Sequence, residues 1–148
     1  MELSRFTDYS LRTLLYAGMH EGRTITAGEV ATAYGMSENH LVKIIHHLGK
    51  LGFLGTKRGR SGGFQLSKPA DEINVGAVVR TTESLALVDC LSADGGSCPI
   101  VSACVLKRVV AEARDAFLET FDRYTLHDLL KDRRALLRSL GVGAKDES

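Results

Sequence analysis

The residues of this chain with the most distinctive chemistry are its three cysteines, Cys90, Cys98 and Cys104. Three thiols cannot all pair with one another within one chain, and clustered thiols in a reducing compartment first indicate a metal or redox site. Structural zinc sites commonly use cysteine pairs about two to four residues apart, whereas seven and five residues separate the cysteines here. This wider spacing favours an iron–sulfur cluster, and three unrelated cysteines are the alternative.

Three thiolates leave one coordination position of such a centre open. Neither His nor Cys follows within a helical turn of Cys104, where Lys107 stands. The fourth ligand must therefore come from another part of the protein, such as a carboxylate, or from a small molecule. An open position of this kind makes the centre chemically reactive.

A second group of residues has the composition of a DNA-reading surface. Asn can pair with adenine, Glu can accept from cytosine, and Lys can contact guanine or phosphate. A glycine-rich basic segment follows, in which the backbone can approach phosphates closely. The alternative is an ordinary polar helix face with solvated charges. The candidate DNA-binding residues are Ser37, Glu38, Asn39, His40, Lys43, Lys57, Arg58 and Arg60.

The spacing of apolar residues predicts the elements that hold this second group. A first amphipathic helix is expected over residues 7–21. Thr26 precedes Glu29 by three residues, a capping box that starts a short second helix ending at Gly35. Ser37 offers an N-cap to a third helix. A short helix, a glycine-containing turn and another helix predict a helix-turn-helix.

An extended pattern follows the third helix. Residues 53–57 and 64–67 have an extended pattern and flank the glycine-rich tip 58–63. This arrangement predicts a β-hairpin, the wing of a winged helix. A fourth helix is expected from Val75 to about Glu83, and then a loop that contains the cysteines. A long amphipathic helix from Val101 to Tyr124 predicts a dimerisation helix, with packing along its own subunit as the alternative.

The expected fold is therefore mainly α with a small β-hairpin. We expect a winged helix-turn-helix domain over residues 1–70, and a cluster-binding loop with a dimerisation helix over residues 71–131. A C-terminal tail follows over residues 132–148, and the part after Leu140 is expected to be disordered.

Composition and charge fit this interpretation. The net charge of +1 conceals an asymmetry, because residues 36–68 carry six Lys or Arg against one acid and residues 69–106 carry one Arg against five acids. No apolar run approaches the ~18 residues of a membrane span, and the N-terminus lacks the pattern of a signal peptide. We therefore expect a cytoplasmic protein without a membrane partner. No motif of an enzyme site is present, so we expect no enzymatic activity.

The sequence resembles the Rrf-type family of winged-helix regulators over residues 1 to about 131. The resemblance rests on the opening M-x-L-x-x-F-T-D-Y-x-L-R, the stretch 34–45, the wing 58–63, the tripeptide 68–70 and the three cysteines. It is strongest to the nitric-oxide-sensing repressors of that family. Members that regulate cluster biogenesis carry a histidine where Lys107 stands here.

The resemblance implies a site, a signal and partners. The cysteines would hold a cluster, usually [4Fe–4S] with [2Fe–2S] as the other possibility, and the partner subunit's Asp8 matches the position of the fourth ligand. A homodimer would bind a palindromic DNA operator and repress nitric-oxide detoxification genes until nitric oxide releases it. Two alternatives stay open: an iron-responsive repressor of the same family, and a cluster-binding redox protein without specific DNA binding.

Overall fold

The computed structural model describes residues 1–142, which form a mainly helical protein with one β-hairpin. Two short 3-10 turns, Ala70–Glu72 and Asp89–Leu91, interrupt the connections. The helices and strands are α1 (Arg5–Met19), α2 (Ala27–Tyr34), α3 (Glu38–Lys50), β1 (Leu54–Lys57), β2 (Gly63–Leu66), α4 (Val75–Thr82), α5 (Val105–Asp122), α6 (Leu126–Leu129) and α7 (Arg133–Ser139).

The helix-turn-helix forms where the capping residues predict it. The Thr26 hydroxyl accepts from the Glu29 amide at 3.2 Å, and the Glu29 carboxylate accepts from the Thr26 amide at 2.9 Å. Gly35 ends α2 with a left-handed φ of 65°, a conformation that costs glycine little. The Ser37 hydroxyl then faces the His40 amide at 3.5 Å and caps α3. These caps fix the turn between α2 and α3.

One hydrophobic core joins α1, α2, α3, the hairpin, α4 and α6. Helix α1 lies at its centre and packs against α3, α4, β2, α6 and α7. Burial of these apolar side chains is the main stabilising contribution to the fold. The fully buried residues include Leu14, Ile25, Val30, Leu41, Ile44, Leu48, Phe64, Val78 and Leu126.

The hairpin is tied to the segment between α1 and α2. Its strands are antiparallel, with Lys57 opposite Gly63. Ile25 and Phe64 exchange two backbone hydrogen bonds of 2.8 Å, so the second residue before α2 pairs with the outer edge of β2. The tip, residues 58–62, projects from this anchored base. The predicted winged helix-turn-helix is confirmed.

Helix α5 is shorter than the sequence pattern suggested. The prediction ran over 101–124, whereas the helix spans Val105–Asp122 because hydrogen-bonded turns occupy residues 98–103. Arg80 of α4 pairs with Asp122 through both carboxylate oxygens and fixes the end of α5 against α4. In the described part of the chain, neither α5 nor any other helix is long and apolar enough to cross a membrane.

The segment assigned to a C-terminal tail begins with a helix, α7, that the sequence analysis missed. Leu136, Leu137 and Leu140 are partly buried and pack against the core, which explains why the chain folds here. The disorder expected for the end of the chain falls mostly on residues 143–148, which lie outside the described residues. The division into three segments stays a prediction.

Candidate metal centre and nucleic-acid interface

The three cysteines line one surface pocket of about 430 Å³. Each thiol is free and partly buried. The pocket wall contains thiol, apolar and charged side chains. The thiols are soft metal ligands, and the apolar neighbours partly shield them from water. Its lining consists of Val88, Asp89, Cys90, Cys98, Ile100, Cys104, Leu106 and Lys107.

Three different pieces of local structure deliver the cysteines. Cys90 lies in the 3-10 turn before the glycine-rich loop. Cys98 starts a tight turn, in which its carbonyl accepts from the Val101 amide at 3.2 Å. Cys104 is the N-cap residue of α5 and its side chain makes no capping bond. A thiolate at this position faces the positive end of the helix dipole, which favours an anionic ligand.

The glycine-rich loop folds back on the first cysteine. Gly96 adopts a φ of 64° and lies so close to the Asp89–Cys90 peptide that a Cβ there would be 2.8 Å from the Asp89 carbonyl and 2.9 Å from the Cys90 amide nitrogen. Gly95 has a similar φ of 73° but open space around it. This backbone contact, available only to glycine, closes the loop between Cys90 and Cys98.

Three thiols line the pocket, but within residues 1–142 no group of three or more His, Cys, Asp or Glu side chains forms a ready site for a metal ion. An iron–sulfur cluster would take these thiolates as three of its four usual cysteine ligands. Lys107 in the wall can offset the negative charge that thiolates bring.

Two carboxylates are candidates for an oxygen ligand, and they lie in different places. Asp89 lines the cysteine pocket itself. Sequence reasoning missed it, although its position next to Cys90 was a signal. Asp8 does not line this pocket; its partly exposed carboxylate pairs with Arg12 at 2.9 and 3.0 Å. It is accessible on α1, so a second chain could approach it.

Helix α3 presents an exposed polar face. Glu38, Asn39 and Lys43 point into solvent, as a base-reading role requires. His46, which the sequence already suggested as a surface residue or phosphate contact, is exposed on this face. Sequence reasoning missed a second neighbour, Val42, which is 53% exposed. The signal was available in the sequence, because Val42 is apolar but lies off the buried face of α3. An exposed apolar side chain at this position can contact a thymine methyl group.

Two of the predicted DNA-binding residues also serve the fold. The His40 ring is partly buried, and its centroid lies 5.5 Å from that of Tyr9. The Ser37 hydroxyl faces the His40 amide as the N-cap of α3. Both side chains are therefore less free to reach bases than their exposed neighbours are.

The tip of the wing is a cluster of exposed cations. Lys57, Arg58 and Arg60 are all exposed, and no ion pair among the described residues involves them. The Gly62 amide donates to the Gly59 carbonyl at 2.9 Å and closes the tip. Unpaired cations on a compact loop can approach phosphates and release their counterions.

Comparison with known sequences places this chain among regulators of transcription. The profile of the Rrf2 family, described as an iron-dependent transcriptional regulator, matches residues 3–132. The HTH-type transcriptional regulator NsrR of Geobacillus kaustophilus is 48% identical over 142 residues, which cover 95% of this chain and 96% of that protein.

Solved structures share the fold. The T. potens IscR structure is similar with a TM-score of 0.72 and 26% identity, covering 89% of this chain and 88% of that one. The structure of CymR, the global cysteine regulator of B. subtilis, has a TM-score of 0.66 at 24% identity, over 87% of this chain and 95% of that one.

Gly96→Ala should disturb the cysteine pocket, and Gly95→Ala is its matched control. Both substitutions place a side chain at positive φ, but only the Cβ at position 96 meets the Asp89–Cys90 backbone. We expect Gly96→Ala to lower the free energy of unfolding of the metal-free protein by about 1–3 kcal/mol more than Gly95→Ala does. Urea denaturation measures both values. Any metal centre held by the three cysteines should be retained less well by Gly96→Ala than by Gly95→Ala. Equal effects of the two substitutions would contradict the role given to this contact.

Proposed function

Because this chain belongs to the Rrf2 family of iron-dependent transcriptional regulators, we propose that it is a cytoplasmic repressor whose operator binding responds to nitric oxide through an iron–sulfur cluster. Family membership confirms the expectation that it is not an enzyme. The observation that carries the proposal is the convergence of three free thiols on one pocket, in a chain that also exposes a basic wing and a polar helix face. Similarity to a curated NsrR supports nitric oxide as the signal.

In the proposed DNA complex, α3 enters the major groove. Glu38, Asn39 and Lys43 then face base edges, while Lys57, Arg58 and Arg60 of the wing contact phosphates. Base contacts provide sequence preference, and phosphate contacts provide affinity that depends on salt. Ser37 and His40 act mainly by fixing the start of α3.

The proposed working unit is a homodimer formed through α5. Val105, Leu106 and Val109 are 61, 62 and 50% exposed, although they occupy apolar positions of an amphipathic helix. Exposed apolar residues of this kind are stabilised when a second surface covers them. A two-fold dimer places two α3 helices on the half-sites of a palindromic operator.

Cys90, Cys98 and Cys104 would hold the cluster, which we propose to be [4Fe–4S], with [2Fe–2S] as the alternative. When bound, the cluster supplies iron that can react with nitric oxide. We propose the partner subunit's Asp8 as the fourth ligand. To serve in this way, Asp8 must share or give up its ion pair with Arg12. The Arg12 guanidinium also lies over the Tyr34 ring, 5.9 Å from its centroid. This cation–π contact can hold Arg12 in place when Asp8 leaves it.

A second candidate function is an iron-responsive repressor. The family description as iron-dependent favours it. The same three cysteines would hold the cluster, but its loss under iron limitation would be the signal. The two candidates differ in whether nitric oxide acts when the iron supply is constant.

An anaerobic nitric oxide titration of the reconstituted protein, with visible absorption and operator binding followed together, tests the function. We expect cluster absorption and operator binding to decline in step, with an affinity loss of about tenfold or more. A Cys98→Ser protein, which lacks one of the thiols, should show neither response. Operator binding that persists through complete loss of the absorption bands would refute nitric oxide sensing, and dependence on iron alone would favour the second candidate.

The fourth ligand can be assigned by comparing Asp8→Ala with Asp89→Ala. Each removes one carboxylate, and only Asp89 lines the pocket of its own chain. We expect Asp8→Ala to change the absorption or lower the retention of the cluster, and Asp89→Ala to leave both unchanged. The reverse pattern would move the assignment to Asp89. Circular dichroism in the far ultraviolet checks that both variants fold.

The division between base and phosphate contacts predicts two kinds of DNA-binding defect. Asn39→Ala should weaken operator binding by about 1–3 kcal/mol and reduce discrimination against altered sites. Arg58→Ala should weaken binding to all sequences and lower the salt slope by about one unit. Fluorescence anisotropy at several salt concentrations measures both quantities. If the two variants lose specific and non-specific affinity in the same proportion, the division is wrong.

A further inference from the structure

Three helix ends meet at one point of the fold. They are the start of α1, the end of α3 and the end of α4, and we call this point the helix-end junction. It contains polar and aromatic side chains with specific partners rather than apolar packing alone. Its members are Ser4, Phe6, Thr7, His47, Thr81 and Glu83.

Glu83 ties the end of α4 to the start of α1. Its carboxylate accepts from the Ser4 amide at 2.7 Å and from the Ser84 amide at 3.1 Å. Partial burial by itself raises the pKa of Glu83, but hydrogen bonds from Ser4, Thr7 and Ser84 outweigh burial and leave the pKa lowered. The carboxylate therefore satisfies the amide of Ser4, the N-cap residue of α1, and holds the two helix ends together.

His47 ties the end of α4 to α3. Its Nε2 lies 3.3 Å from the Thr81 carbonyl oxygen, and its ring meets the Phe6 ring edge-on with centroids 5.1 Å apart. The neighbouring His46 is exposed on the DNA-facing side of the same helix. Adjacent residues of one helix therefore divide between the junction and the solvent.

The junction lies along the chain between the two groups of proposed cluster ligands. Glu83 is the C-cap of α4, and six residues separate it from Cys90. On α1, Thr7 directly precedes Asp8. Glu83 also lines a pocket with Arg114 and Phe117 of α5, the helix whose N-cap is Cys104. The same α4 end contacts α3 through His47.

We propose that Glu83 and His47 are positioning residues that couple the state of the cysteine pocket to the placement of α3. This inference rests on the proposed function, because it requires a cluster that alters operator affinity. Glu83 links α4 to the first turn of α1, and His47 links α4 to α3. Together they link the end of α4, which shares a pocket with α5, the helix whose N-cap is Cys104, to the DNA-facing helix.

The test measures a coupling factor, defined as the operator Kd of the cluster-free protein divided by that of the cluster-loaded protein. Full-length wild type, Glu83→Gln, His47→Ala and their double variant are compared by anaerobic fluorescence anisotropy. Matched controls are Glu72→Gln and His127→Ala, which change an exposed acid and an exposed histidine outside the junction. Couplings between protein sites are typically about 5–150-fold.

We expect Glu83→Gln and His47→Ala to lower the coupling factor at least severalfold, while cluster absorption and urea midpoints stay close to those of the controls. The double variant should lose little more than either single variant, because both residues serve one path. A residue with only a structural role would shift the unfolding midpoint and leave the ratio unchanged.

The outcomes separate the two proposals. A wild-type coupling factor of one overturns the proposed function and this inference with it. A large wild-type factor that both junction variants retain overturns the inference alone. Equal losses in the junction variants and in the controls would also overturn it. If one junction variant fails to fold, the other decides between these results.

Discussion

Burial of α1 is the constraint on which the rest of the structure depends. This helix packs against α3, α4, β2, α6 and α7, and Leu14 at its centre is fully buried. Even its buried hydroxyls are satisfied: Ser10 and Thr13 donate to carbonyls one turn earlier at 2.6 and 2.7 Å. Because α3 and α4 both pack on α1, one element holds the helix proposed to read DNA and the helix that precedes the cysteine loop.

Much of the winged helix could be predicted because its signals are local. The Thr26–Glu29 capping box and the left-handed Gly35 depend only on neighbouring backbone groups, so their spacing in the sequence is sufficient. The three cysteines could be grouped for a similar reason, since they fall within a short segment of the chain. Their convergence on one pocket follows once Gly96 folds the loop back on Cys90.

The features that sequence reasoning missed depend on tertiary contacts. Helix α7 was taken for tail because its apolar stripe is short and follows a charged stretch, yet the core gives Leu136 and Leu137 a surface to bury against. The contact between His40 and Tyr9 of α1 also went unforeseen, because it joins residues that are far apart in the sequence. The position of Asp89 in the wall of the cysteine pocket depends on the fold of the loop, which the sequence alone does not show.

We propose that cluster occupancy of the three cysteines governs operator binding by the proposed dimer. Non-denaturing mass spectrometry of a partly loaded preparation with operator duplex tests this most directly, because loaded and empty dimers compete in one sample. The account predicts that the DNA-bound species are enriched in dimers carrying clusters, and that scrambled duplex shows no such enrichment. Equal cluster occupancy in the free and the operator-bound dimers would contradict it.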